Sequence, residues 1–70
     1  MKLSYDSQVD AAYIRFSNET PYGAIEISEG IIVHVTEQDK IVAIEILDVS
    51  QKMSIQELFK YEIENPQLLV

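Results

Sequence analysis

Three side chains in the middle of the chain could do chemistry together: Glu26, His34 and Glu45. His34 is the only histidine, and histidine is the side chain whose ordinary titration falls near neutral pH, so it is the candidate general base. One imidazole and two carboxylates are also donors that hold divalent metal ions. The spacing of the two glutamates also allows the carboxylate pair of inverting glycoside hydrolysis, in which a water molecule lies between the acids, but a sheet of 70 residues offers no deep cleft for the substrate. These residues are the candidates for a metal-binding or catalytic site.

The candidates fall in segments whose sequence predicts β-strands. Branched apolar residues recur at every second position over residues 24–27, 31–36 and 41–47, which is the period of a strand with two different faces. Residues 28–30 predict a tight turn with its glycine in the left-handed conformation, and residues 37–40 predict the next turn. Six of the seven residues in 41–47 are apolar, so this segment is predicted to be the buried strand beside which the others pair.

These turns define a register, and the register sorts the side chains onto two faces. The predicted cross-strand pairs are Ile27 with Ile31, Ile25 with Val33, Glu26 with Ile32, Val35 with Val42, Val33 with Ile44, and Ile31 with Ile46. The face predicted to form the core carries Leu3, Tyr5, Ile14, Phe16, Ile25, Ile27, Val33, Val35, Val42, Ile44 and Ile46. The opposite face carries Tyr13, Arg15, Glu26, Ile32, His34, Ile41, Ala43, Glu45 and Leu47.

The opposite face has a structural interpretation beside the chemical one. Glu26, Ile32 and Glu45 fall in one row, which sets the backbones of the two glutamates roughly 9–10 Å apart. Such carboxylates can instead pair with Arg15, or with a lysine of a partner subunit, and so fix the register at an interface. His34 is then a half-exposed histidine of a strand.

The rest of the chain predicts two further strands, over residues 2–5 and 11–16, joined by a polar turn. Ser54 and Glu57 have the spacing of a capping box that begins a helix, and Asn65-Pro66 ends it. The pattern predicts an α+β fold: an antiparallel meander of about five strands followed by one C-terminal helix. The predicted single domain covers residues 1–70, with the sheet at about 2–48, the helix at about 54–64 and an apolar tail at 65–70.

The composition predicts self-association. The chain has 70 residues and no cysteine, which excludes disulfides and thiolate metal sites, and one histidine excludes a histidine-rich zinc site. A core of this size rarely supplies more than about 3–5 kcal/mol without a further constraint. Because 47% of the residues are hydrophobic, we expect a homodimer or a higher homo-oligomer. The residues predicted to form the interface are Tyr13, Arg15, Ile32, Ile41, Glu45, Leu47, Leu68 and Leu69.

The charge limits the other partners. A net charge of −7 argues against nucleic acid and anionic membranes, because phosphate binding needs lysine and arginine, but it suits a basic protein partner. The sequence contains no signal peptide and no apolar stretch of the length needed to span a bilayer. We therefore expect a cytoplasmic protein without a cofactor.

Two motifs stand in order along the chain: Tyr5-Asp6, Asp10-Ala11 and Tyr13-Ile14, followed by Ile41-Val42, Glu45-Ile46-Leu47-Asp48 and Ser50. Over about residues 3–50 the chain resembles domain of unknown function 2283, a family of short, mostly prokaryotic proteins. The resemblance implies no established activity. The family often has an acidic residue where this chain has His34, and often glycine where it has Lys40 and Ala43, so a site that depends on an acid at position 34 is not expected here.

Two functions follow from these observations. The first is a non-catalytic, acidic protein that acts through homo-oligomerisation and binds a basic protein, in the manner of an antitoxin or a regulatory accessory protein. The second is a small enzyme or metal-binding module that uses His34 with Glu26 and Glu45.

Overall fold

The computed structural model of the protein describes residues 1–65, and these residues contain one five-stranded antiparallel sheet. The strands are β1 (Lys2–Asp6), β2 (Ala11–Arg15), β3 (Gly23–Ser28), β4 (Ile31–Val35) and β5 (Ile41–Leu47). A 3₁₀ turn, Val49–Gln51, and the helix α1, Ile55–Leu58, follow the sheet. This confirms the predicted α+β class, with five antiparallel strands before one C-terminal helix.

The last strand of the sequence is the central strand of the sheet. The spatial order is β1-β2-β5-β4-β3, so β5 pairs with β2 on one edge and with β4 on the other. Its branched residues suit a position with neighbours on both sides. Val42 and Ala43 of β5 are fully buried. The most apolar segment of the chain therefore joins the two hairpins, β1–β2 and β3–β4, into one sheet.

The predicted register is correct through the middle of the sheet. Ile25 lies opposite Val33, and Val33 lies opposite Ile44. Two of the predicted pairs are wrong, because the register shifts near the strand ends. Ser28, not Ile27, lies opposite Ile31, and Ile41, not Val42, lies opposite Val35. A register shift interrupts the alternation of side chains between the two faces of the sheet. The alternation rule therefore does not assign Ile41 to either face.

We call the face of the sheet that was predicted to form the core the apolar face. Within residues 1–65 the fully buried apolar residues are Ala12, Val42, Ala43 and Val49. Phe16, Ile25 and Ile27 on the apolar face are 45%, 52% and 64% exposed. The face is thus built from core residues, yet the described part of the chain does not close over it.

The helix is shorter than the sequence predicts. α1 spans Ile55–Leu58 rather than 54–64, and Ser54 at its N-cap makes no side-chain hydrogen bond to the backbone. The Ser54 hydroxyl donates instead to Gln56 Oε1, at 2.8 Å. Phe59 and Ile63, which follow α1, are about half exposed, so residues 1–65 do not provide the packing on which a short helix depends.

No helix in residues 1–65 has the length and hydropathy needed to cross a membrane. Of the predicted apolar tail, residues 66–70 lie outside the described part of the chain, and with them the interface candidates Leu68 and Leu69.

Candidate functional site

The chemical candidates share one surface, the second face of the sheet, which lies opposite the apolar face. Cross-strand pairing runs in one row through all five strands, in the order Ser4, Tyr13, Glu45, Ile32 and Glu26. The adjacent row consists of Lys2, Arg15, Ala43, His34 and Ala24. The predicted row of Glu26, Ile32 and Glu45 is therefore correct, and it continues across the sheet to β1.

Two of the three candidates contact each other. His34 lies opposite Ala43, and Glu45 lies opposite Ile32, so the two side chains are diagonal neighbours on β4 and β5. His34 Nε2 is 3.3 Å from Glu45 Oε1, a distance at which the ring N–H donates to the carboxylate. The side chains are 22% and 33% exposed, so the pair is partly shielded from water but open to it.

Tyr13 completes a cluster on this face. Its ring centroid is 5.7 Å from that of His34, and the rings are tilted by 52°, a geometry that aromatic pairs favour. The two residues belong to β2 and β4, so their rings meet across β5, where Ala43 presents only a methyl group. A larger side chain at Ala43 would keep the rings apart. We call Tyr13, His34 and Glu45 the histidine cluster.

Glu26 does not join the histidine cluster. It is an exposed residue of β3, and Ile32 of β4 lies between it and Glu45, two strand spacings or roughly 9–10 Å of backbone. Among residues 1–65, no three histidine, aspartate or glutamate side chains lie close enough to hold a metal ion. The sheet thus assembles two of the three predicted ligands and separates the third.

Of the two partners considered for Glu45, Arg15 and a lysine of a partner subunit, Arg15 does not pair with it. Arg15 lies opposite Ala43 and Lys2, in the row next to that of Glu45. The ion pairs within residues 1–65 are His34–Glu45 and the exposed Lys60–Glu57. Glu45 therefore takes its partner from β4 rather than from β2.

A second cluster, which the sequence analysis assigned only to a turn, surrounds Asp10. The Tyr5 hydroxyl donates to Asp10 Oδ1 at 2.9 Å. Ser50 donates its backbone N–H to Oδ1 at 3.1 Å and its hydroxyl to Oδ2 at 2.6 Å. The Val49 N–H donates to the Asp10 carbonyl at 3.0 Å. We call Tyr5, Asp10 and Ser50 the aspartate cluster.

The aspartate cluster holds the sheet together at one end. Asp10 ends the β1–β2 turn with a φ of 54°, in the left-handed region that aspartate tolerates better than most residues. Its carboxylate ties that turn to the segment that follows β5. The hydrogen bond from the Ser50 hydroxyl is the main reason that the pKa of Asp10 lies below its ordinary value of 3.8. The hydrogen bond to Asp10 is the main cause that raises the pKa of Tyr5 above 10.0.

No local pattern could reveal this cluster, because Asp10 and Ser50 are 40 residues apart in the chain. The only signal in the sequence is that Tyr5, Asp10 and Ser50 all belong to the motifs that resemble the family. Asp6, the other acid of the turn, has a local role, since its Oδ1 accepts the N–H of Gln8 at 3.0 Å.

These features define a class: a small α+β protein built on one five-stranded antiparallel sheet, with one structural carboxylate cluster and one partly open histidine cluster. The family model described as "Protein of unknown function (DUF2283)" matches residues 2–50, and the chain belongs to this family. The matched region includes all five strands and both clusters, whereas α1 lies beyond it. Comparison with curated proteins and with solved structures gave no match.

Proposed function

We propose that this protein is a non-catalytic, acidic interaction protein that self-associates through the apolar face of its sheet. The observation that carries the proposal is the exposure of Phe16, Ile25 and Ile27, at 45%, 52% and 64%, on a face composed of core residues. Exposed apolar patches of this kind mark interaction surfaces in small proteins. A second copy that covers the face would supply the second layer that a sheet needs.

The size of the chain supports the same proposal. A domain of 70 residues buries a smaller share of its surface than a larger domain does, and this chain contains no cysteine with which to form a disulfide. A subunit contact is a way to enlarge the core that residues 1–65 form. We assign the contact to the apolar face because its residues Phe16 and Ile25 are exposed. Tyr13, Arg15 and Ile32, predicted as interface residues on the second face, are less exposed.

A basic protein is the second partner that we propose. With twelve acidic and five basic residues, the chain has a net charge of −7, which attracts a cationic surface over several ångströms. An antitoxin-like or regulatory accessory role is the concrete form of this proposal. It needs no reactive group, and the histidine cluster would then serve to fix the sheet.

Self-association is tested by sedimentation velocity or light scattering, in which a dimer has twice the 8.0 kDa mass of the chain. Phe16→Ser should shift the protein towards the monomer, because it removes an apolar side chain from the proposed contact. Phe59→Ser is the matched control: Phe59 is 51% exposed but lies outside the sheet, so its loss should leave the mass unchanged. A wild-type protein that stays monomeric at its highest attainable concentration would contradict the proposal.

The alternative function, a metal-binding or catalytic module, has one observation in its favour, the contact between His34 and Glu45 at 3.3 Å. Two donors hold a metal ion weakly, and Glu26 lies two strands from Glu45. The test is the shift in melting midpoint on adding Mn²⁺ or Zn²⁺. A shift in the wild type that His34→Gln abolishes would favour the alternative, and equal midpoints with and without metal would exclude its metal-binding form.

A further inference from the structure

The outer strand β3 is the most exposed strand of the sheet. Every residue from Ala24 to Ser28 is exposed, including the branched apolar residues Ile25 and Ile27. Within residues 1–65, β3 pairs with β4 on one side only. An exposed apolar edge strand presents unpaired backbone groups, and proteins usually protect such an edge with charged residues, proline or a covering segment.

The hydrogen bonds of the neighbouring strands show which backbone groups of β3 are free to pair. The Leu47 N–H donates to the Gly30 carbonyl at 2.8 Å, so Gly30 directs its backbone groups towards β5. The backbone groups of every second residue in a strand have the same direction. The N–H and C=O groups of Ile32 and His34 are therefore also directed towards β5, whereas those of Val33 and Val35 are directed towards β3. The Val35 carbonyl accepts the Tyr22 N–H at 2.8 Å, which agrees with this assignment.

The outward groups of β3 follow from its register with β4. Ile25 lies opposite Val33, so its N–H and C=O point towards β4. Ala24 and Glu26, the residues on either side of Ile25, therefore direct their N–H and C=O away from the sheet. An additional strand would form its hydrogen bonds with these two residues.

The side chains along this edge differ in character between the two faces. Ile25 belongs to the apolar face, whereas Glu26 belongs to the second face. Glu29 and Asp48 line the groove beside Glu26. The amine of Lys52, the cation that lines the same groove, donates to the Leu47 carbonyl. The edge is therefore apolar on one side and acidic on the other.

We propose that β3 is the docking site for an extended segment of a basic protein, which adds to the sheet as a sixth strand. The segment alternates apolar and basic residues. Its main chain bonds to Ala24 and Glu26, its apolar side chains lie beside Ile25 and its lysines or arginines lie beside Glu26. This is strand addition, in which the main chain supplies affinity and the alternating side chains supply specificity. The inference rests on the basic partner of the proposed function and specifies where that partner binds.

Charge excludes a second copy of β3 as the occupant of this edge. Ala24 and Glu26 are the outward residues of both copies, so antiparallel pairing of two β3 strands would place both Glu26 side chains near each other on one face. Like charges that face each other across strands destabilise a sheet. A basic segment instead places charges of opposite sign beside Glu26.

The test uses the full chain and a blocked peptide of alternating valine and lysine, with a valine–glutamate peptide as control. Binding is followed by the backbone amide signals of isotope-labelled protein. The lysine peptide should shift the amides of Ala24 and Glu26 most, and the glutamate peptide should not bind. Glu26→Lys should weaken binding of the lysine peptide by about threefold or more, since a cross-strand charge pair contributes about that factor. Glu19→Lys makes the same change of charge at an exposed loop position and should leave binding unchanged.

A backbone variant separates strand addition from simple charge attraction. Glu26→Pro removes an outward N–H that β4 does not use, so β3 should stay folded while binding of the lysine peptide is lost. Retained binding in folded Glu26→Pro, or no binding by the wild type, would overturn the inference. So would self-association that Glu26→Pro abolishes, since the occupant would then be a second copy. A failure of strand addition at β3 is distinct from a failure of self-association, because Phe16→Ser tests self-association on the apolar face.

Discussion

The two outer strands of the sheet, β1 and β3, differ in burial and in side-chain hydrogen bonds. β1 alternates polar residues with Leu3 and Tyr5, which are half-buried, and the Tyr5 hydroxyl binds Asp10. β3 is exposed along its length and leaves Ile25 and Ile27 in contact with water. The Tyr5 side chain fastens β1 to Asp10 and, through Asp10, to Ser50, whereas no side chain of β3 makes a hydrogen bond within residues 1–65. We call β1 the fastened edge and β3 the open edge.

This difference shows how a short chain can separate stability from interaction. The fastened edge contributes hydrogen bonds that do not depend on a partner, whereas the open edge gives up burial and leaves apolar side chains exposed. Regions with little burial open most readily in a folded protein. The predictions below test the contrast, from the largest expected effect to the smallest.

The largest effect should be the difference in unfolding free energy between two substitutions on the apolar face, one at a buried residue and one at an exposed residue. Val42→Ala removes two buried methyl groups and should cost about 2 kcal/mol of unfolding free energy. In dilute, monomeric protein, Ile27→Ala, at a residue 64% exposed, should cost less than about 0.5 kcal/mol. Chemical denaturation of both variants measures the difference. Equal losses in the monomer would contradict the open edge, because Ile27 would then be buried within a single chain.

An intermediate effect should come from Ser50→Ala, which removes the hydroxyl donor to Asp10. The folded pKa of Asp10 lies below its ordinary value of 3.8, so its carboxylate stabilises the fold above pH 3.8. That contribution is lost as the pH falls through the folded pKa. Ser50→Ala should lower the melting midpoint at neutral pH and make its fall below pH 3.8 shallower. Ser28→Ala, on the open edge, should change neither, and an unchanged acid profile in Ser50→Ala would contradict the role of this cluster.

The smallest effect should come from Glu45→Leu in the histidine cluster. A partly exposed pair of this kind contributes about 1 kcal/mol or less, so the loss of unfolding free energy should stay within that limit. The loss should be non-additive with that of His34→Gln and additive with that of Arg15→Met, because Glu45 contacts His34. Coupling to Arg15 instead would show that the side chains rearrange in solution.

Sequence periodicity predicted the middle of the sheet because one face must be apolar. A slip of one residue would move Ile25, Val33 and Ile44 to the opposite face, so their register is strongly specified. The register shifts beside Ile27 and Val42 were not predicted, since an inserted residue changes neither composition nor period. The length of α1 was wrong because a capping pattern reports a helix start and not the packing that would extend it.

The candidate site was predicted in part for the same reason. Register placed His34 and Glu45 near each other, but it could not choose between His34 and Arg15 as the partner of Glu45. The aspartate cluster escaped prediction because its partners approach only after β5 has returned to the centre of the sheet. Contacts of that separation depend on topology rather than on local pattern.

The central position of β5 also sets the order in which the protein can assemble during synthesis. The β1–β2 and β3–β4 hairpins leave the ribosome first, yet an isolated two-stranded hairpin is marginal in water. Neither hairpin gains its neighbour until β5 has emerged, because β5 pairs with both. A nascent chain that stops before Ile41 therefore holds two unjoined hairpins, and one strand completes the whole sheet.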